Sequence, residues 1–240
     1  MAGEGLPVSR EPGTVWRVGY APNPWEWTDW KFANTDGRFD GRWDDPAGQY
    51  RTLYVAESAI ACFIEVLAKF RPDPRVAEGL GEIESDDVDE IAFPTLSPGS
   101  VSTDWIENRR IGSATLRGAY VQVTHAAAVA SLRPDWVSPA RRLGVTEFDT
   151  SALKDSGSRA LTQAISRYLY ETTVESQPAY SGVEFASRHG DDLRLWAIFE
   201  YPNHALVSPE LADITDEPLT AAHPALQEAM TLFQLTWVDQ

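Results

Sequence analysis

Arg51–Phe70, RTLYVAESAIACFIEVLAKF, decides how the chain folds, because a strand pattern turns into a helix pattern within it. Arg51 to Ala56 is rich in β-branched and aromatic residues and predicts a strand. Glu57 and Ser58 then offer an N-cap to a helix from about Ala59 to Phe70, which Pro72 stops. Ile60, Phe63, Ile64 and Leu67 recur at helical spacing, and the opposite face has almost no polar residue, so the helix predicts burial nearly all round. Glu65 is its exception, the one charged residue between Ser58 and Lys69. A buried carboxylate needs a partner. Glu65 therefore reads either as half of a structural ion pair or as a ligand-facing group.

Upstream, TVWRVGY (Thr14–Tyr20) predicts another strand, with Arg17 at its middle. An inward arginine must meet an anion, and both structural pairing and ligand binding fit it. Met1 to Gly13 is polar with Gly and Pro and reads as a loose tail. Ala21 to Asp45 is dense in Pro, Gly, Trp and Asp and reads as a long ordered loop, a type more often functional than idle. It ends in DGRFDGRWDDP, where glycines allow close backbone approach and Arg42 offers a planar guanidinium suited to phosphate. Arg42 fits a loop salt bridge to Asp44 or Asp45 equally well. Tyr54, in the strand before the Glu65 helix, reads as core or as site.

Downstream, strands are expected at Asp86 to Phe93, Leu116 to Thr124 and Arg194 to Tyr201. Helices are expected around Trp105 to Gly112, His125 to Leu132, Ser158 to Glu171 and Pro224 to Leu235. Without a βαβ rhythm, this mixture predicts a single α+β domain. Ser187, in YSGVEFASRHG, has no GxSxG elbow around it, and His189 reads as an exposed loop histidine.

Composition narrows the function. The 240 residues are 43% hydrophobic and carry a formal net charge of -16, which repels nucleic-acid backbones and anionic membranes. An acidic chain can still hold a phosphate-bearing ligand where several arginines converge. Cys62 is the lone cysteine, and the four histidines are scattered without zinc spacing. No metal site, Walker loop or GxGxxG fingerprint occurs, and the acidic run Glu82 to Glu90 lacks EF-hand spacing. With neither a signal peptide nor a membrane-length apolar run visible, the expectation is a cytoplasmic protein.

Taken in order, VWRVGY, FDGRWDDPAGQYRTLYVAESAIACFIEVLAKF, WIENRRIG, SRALTQAISRYLY and YSGVEFASRHGDDLRLWAIFE resemble the RES family, named for its Arg, Glu and Ser positions. The resemblance spans roughly Thr14 to Tyr201, leaving a C-terminal extension from about residue 202. The chain departs at Val18, where many members have an aromatic residue, and in its longer middle and C-terminal regions. The resemblance implies an ADP-ribosyltransferase-like fold that consumes NAD by hydrolysis or phosphorolysis, needs no cofactor beyond that substrate, and often acts as a toxin restrained by a helix-turn-helix antitoxin. By position, Arg17, Arg42, Tyr54, Glu65 and Ser187 would line the NAD cleft, with Thr162 or Gln163 sharing the role of the serine. Glu65, Arg17 and Tyr54 would act in catalysis. ADP-ribosyl transfer to a macromolecule and a catalytically silent binding module are the alternatives.

Overall fold

The computed structural model describes residues 5–72, 98–155, 157 and 159–239. It is a mixed α+β fold built on one eight-stranded sheet with the order β1-β6-β9-β10-β3-β2-β5-β11. The strands of this sheet are β1 (Val8–Arg10), β2 (Gly13–Tyr20), β3 (Thr52–Ala56), β5 (Arg109–Leu116), β6 (Ala119–Gln122), β9 (Gly182–Ala186), β10 (Arg194–Phe199) and β11 (Leu211–Pro218). β6 and β9 run parallel, and every other neighbouring pair is antiparallel. Two small ribbons complete the strands: β4 (Ser100–Ser102) with β12 (Thr236–Val238), and β7 (Thr173–Val174) with β8 (Gln177–Pro178). The helices are α1 (Ala59–Leu67), α2 (Asp104–Glu107), α3 (Ala126–Arg142), α4 (Thr150–Lys154), α5 (Ala160–Glu171) and α6 (Pro224–Leu232).

The quoted stretch folds as its pattern dictates. Along β3, Leu53 and Val55 face one side of the sheet, while Tyr54 and Ala56 join the larger core on the other. Ser58 caps α1, its hydroxyl accepting from the Ala61 amide at 3.3 Å. α1 packs on β2 and on α6. Burial of Phe63, Ile64 and Leu67 is worth roughly 1.5–3 kcal/mol each. Packing therefore fixes the rotation of α1, and Glu65 goes where that rotation carries it.

The long loop covers the second face of the sheet. Trp25 and Trp27 bury against Leu53, Val55 and Trp196. The Trp27 indole N–H donates to Ala205 O at 2.9 Å. Of this loop only Trp30–Phe32 forms a 3-10 turn.

Several expectations give way to tertiary pairing. Val8–Arg10, inside the supposed loose tail, is an edge strand paired with β6, and Leu6 is buried beside it. The helix expected over Trp105 to Gly112 ends at Glu107; Arg109–Leu116 is strand β5, held between β2 and β11. The strand expected over Leu116 to Thr124 starts only at Ala119, after a turn whose Gly118 has φ of 102°. α3 runs to Arg142, through Pro134 and Pro139, well past Leu132. The C-terminal helix stops at Leu232, and the region beyond residue 202 supplies β11 to the main sheet. Asp86 to Phe93 and the acidic run Glu82 to Glu90 lie outside the described residues.

Candidate active site

The site grows from a seam in the sheet. β2 and β3 share one register pair, Trp16 with Ala56. Beyond it β2 continues beside β5, whereas β3 stays with β10. Arg17 fills the seam: its Nη1 donates to Tyr54 O at 2.7 Å and its Nε to Pro24 O at 2.6 Å. Two carbonyls, one from the neighbouring strand and one from the long loop, thus aim the guanidinium. Burial pushes its pKa down to about 10, so a further anion beside it would be stabilising.

A cavity of about 370 Å³, open to solvent, lies over this seam. Its walls include Arg17, Arg42, Tyr54, Cys62 and Glu65 from the elements singled out by sequence, together with Phe185 from β9. Glu65 is held from the β9–β10 turn, where Ser187 Oγ donates to its Oε1 at 2.5 Å. The His189 amide donates to that same hydroxyl oxygen at 2.9 Å, which orients the serine proton toward the carboxylate. Ser187 is itself buried beneath the cavity wall. No arginine forms an ion pair with Glu65 among the described residues, so the structural ion-pair reading of Glu65 does not hold. Arg42 is the nearest in effect, its charge favoured by the Glu65 carboxylate although burial pulls its pKa down.

Arg42 makes no salt bridge to Asp44 or Asp45. Its Nη1 donates to Leu153 O at 2.6 Å. Asp45 pairs with Arg167, and Asp44 accepts from the Gly41 amide and from the Tyr54 hydroxyl at 2.9 Å. That hydroxyl also accepts from the Trp43 amide at 2.9 Å. Tyr54 therefore spends its polar group on the loop that carries Arg42 and shows the cavity its ring. Burial holds the phenol well above its ordinary pKa, with Asp44 adding to the effect, and the Asp44 carboxyl is raised by its own burial. Gly41 is required by space: a Cβ there would come within 3.0 Å of both the Asp44 carboxylate and the Tyr54 hydroxyl.

Thr162 and Gln163 do not line the cavity. Thr162 Oγ1 donates to Arg159 O in its own helix, and Gln163 Nε2 donates to Gly41 O at 3.0 Å, steadying the Arg42 loop from α5. The Cys62 thiol, pushed up to about 12 by burial, donates to Trp16 O and is no nucleophile at neutral pH.

Four basic wall residues are not singled out by the sequence as site residues: Lys69, Arg159, Arg188 and His189. Burial lowers the His189 pKa, leaving a neutral imidazole at pH 7. The cavity thus has five basic side chains, Arg17, Arg42, Lys69, Arg159 and Arg188, against the Glu65 carboxylate. None of the five takes part in a salt bridge among the described residues, although the chain has 36 acidic residues to 20 basic ones. Such a cleft attracts an anion and keeps one carboxylate available for a positive centre. The described residues contain no cluster suited to a metal ion and no helix long and apolar enough to cross a membrane.

The fold is similar to a chain of the M. tuberculosis MbcT–MbcA toxin–antitoxin complex, with 16% identity over 95% of this chain and 90% of that one and a TM-score of 0.46. No curated protein matches the sequence. The RES domain family matches residues 14–222, which include the Arg17 strand, the Arg42 loop, the Glu65 helix and the Ser187 turn, and the chain belongs to that family.

Proposed function

We propose that the chain is an enzyme that consumes NAD by cleaving its nicotinamide–ribose bond, on an ADP-ribosyltransferase-like fold. The observation carrying this reading is the meeting of five basic side chains, without salt bridges among the described residues, and one serine-held carboxylate in a single cleft of an acidic protein. Arg17 and Arg42 would hold the pyrophosphate, Arg42 in the bidentate manner a guanidinium allows. The bond between ribose C1′ and the pyridinium nitrogen then breaks with its electron pair on nitrogen. Nicotinamide leaves neutral, and positive charge develops on the sugar, as in glycoside cleavage. Glu65 would stabilise that charge more in the transition state than in the bound substrate. Water or phosphate adds to C1′ from the open side, water releasing a proton. Ser187 fixes the carboxylate, while Tyr54, Thr162 and Gln163 act through the loop and helix around it.

Membership of the RES family supports a toxin role, with restraint by a helix-turn-helix antitoxin. The test is NAD consumption by the purified protein, with and without phosphate, beside a folded Glu65→Gln variant. Nicotinamide release reduced about 10²–10³-fold in the variant is the expected result. Phosphate dependence separates phosphorolysis from hydrolysis, and labelled protein products would reveal transfer instead. Wild-type rates in Glu65→Gln would remove the mechanism.

A further inference from the structure

The five cleft cations fall into two tiers. Arg17 and Arg42 are partly buried on the cavity floor, tied down by the carbonyls of Tyr54, Pro24 and Leu153. Lys69, Arg159 and Arg188 are exposed on its rim. Arg159 and Arg188 line the same cavity as Arg42, and each disfavours its charge. Each is steadied without being neutralised: Arg159 donates to Asp40 O, and Arg188 Nε donates to the His189 ring at 3.2 Å. Holding these like charges together is unfavourable in the empty protein, and the Glu65 carboxylate, which favours the Arg42 charge, is one carboxylate against five cations.

NAD offers one negative charge on each phosphate of its pyrophosphate, and the floor arginines match those two. Its pyridinium offsets one of them, so the whole dinucleotide leaves the rim cations without a counterpart. A phosphate monoester on the adenosine ribose adds a charge of about -1.5 to -2 at neutral pH and three acceptor oxygens.

Resting on the NAD-cleaving reading above, we propose that the cleft also accepts NADP, with Arg159 and Arg188 receiving its 2′-phosphate at the rim. The bond chemistry is unchanged. The C1′–nitrogen bond breaks, nicotinamide carries off the electron pair, and water or phosphate oxygen joins C1′ to leave a 2′-phosphorylated ADP-ribose product.

Two measurements on the intact chain decide the matter. The first compares nicotinamide release from NAD and NADP in the wild type and in the Arg159→Ala/Arg188→Ala double variant, whose fold is checked by thermal unfolding. The expected result is NADP turnover with kcat/KM within about tenfold of that for NAD. Charged hydrogen bonds of this kind predict that the double variant loses about 10- to 100-fold more kcat/KM on NADP than on NAD. The second measures binding of ADP-ribose and ADP-ribose 2′-phosphate by calorimetry, which needs no turnover. The phosphorylated ligand should bind at least tenfold tighter, and the double variant should abolish that preference. NAD turnover with NADP refused, or an equal loss on both substrates, overturns the inference and leaves the NAD reading intact. No turnover of either, together with a 2′-phosphate preference in binding, removes the catalytic reading and leaves the rim site standing. No turnover and no preference removes both.

Discussion

Tyr54→Phe distinguishes a residue that performs chemistry from one that holds the chemistry in place. The Tyr54 hydroxyl donates to Asp44 and accepts from the Trp43 amide, both at 2.9 Å and both in buried residues. Phenylalanine keeps the ring against the cavity and removes those two bonds. A buried polar group left without its partner costs about 1–3 kcal/mol. Two such groups, about 2–6 kcal/mol together, in a chain of 240 residues correspond to a fall in melting temperature of about 4–24 °C. The loop from Gly41 to Asp44 carries Arg42, so its loosening should appear first in substrate affinity, as a raised KM for NAD with kcat less affected. Asp44→Asn gives an independent check. It leaves one accepting oxygen where Asp44 uses two, for the Gly41 amide and the Tyr54 hydroxyl, and should raise KM in the same way. Thermal unfolding and initial rates of nicotinamide release measure both quantities. An unchanged melting temperature in Tyr54→Phe, with kcat reduced 100-fold and KM unaltered, would refute a positioning role and place the phenol in the reaction.

Three further outcomes follow from the same geometry. Gly41→Ala pushes its Cβ into the Asp44–Tyr54 pair, and overpacking of this kind costs about 1–3 kcal/mol; the measured result should be a lower melting temperature and weaker NAD binding by titration. Ser187→Ala removes the hydrogen bond that holds Glu65 and the acceptor for the His189 amide, so kcat should fall at least about tenfold while binding of ADP-ribose changes little. His189, whose pKa is lowered by burial, confers stability that is fully present above its unfolded value near 6.5 and is lost as pH falls through that value toward the folded one. His189→Gln should therefore flatten the decline in melting temperature between about pH 6.5 and 5 relative to wild type.

The central strands and α1 were legible because local pattern and tertiary demand agree there. In β2, β3 and α1 the residues that favour the element are also those that bury. Arg109–Leu116 shows the opposite case. RRIGSATL has no clean alternation of strong strand formers, and it becomes β5 because β2 and β11 flank it on both sides. Val8–Arg10 and Leu211–Pro218 are edge strands at the two ends of the sheet, each specified mainly by one neighbour that lies far away in sequence. Such pairing leaves little trace in a local window.

The site divides along similar lines. Arg17 and Glu65 stand in segments whose composition makes a charge unusual, and the structure brings them with Arg42 to one cleft, with Ser187 bonded to Glu65 from beneath its wall. Tyr54 was legible as belonging to the site but not in its task, because the direction of a hydroxyl depends on Asp44 and Trp43 folding back over β3. Arg159 and Arg188 look like ordinary surface arginines in sequence, one just before a helix and one in a turn. What sets them apart is that neither forms a salt bridge among the described residues of a chain with a net charge of -16. Arginines that converge on one cleft without salt bridges among the described residues do so only because several elements fold together, which no local window shows. The rim cations therefore carry the information about the ligand that no motif in the chain contains.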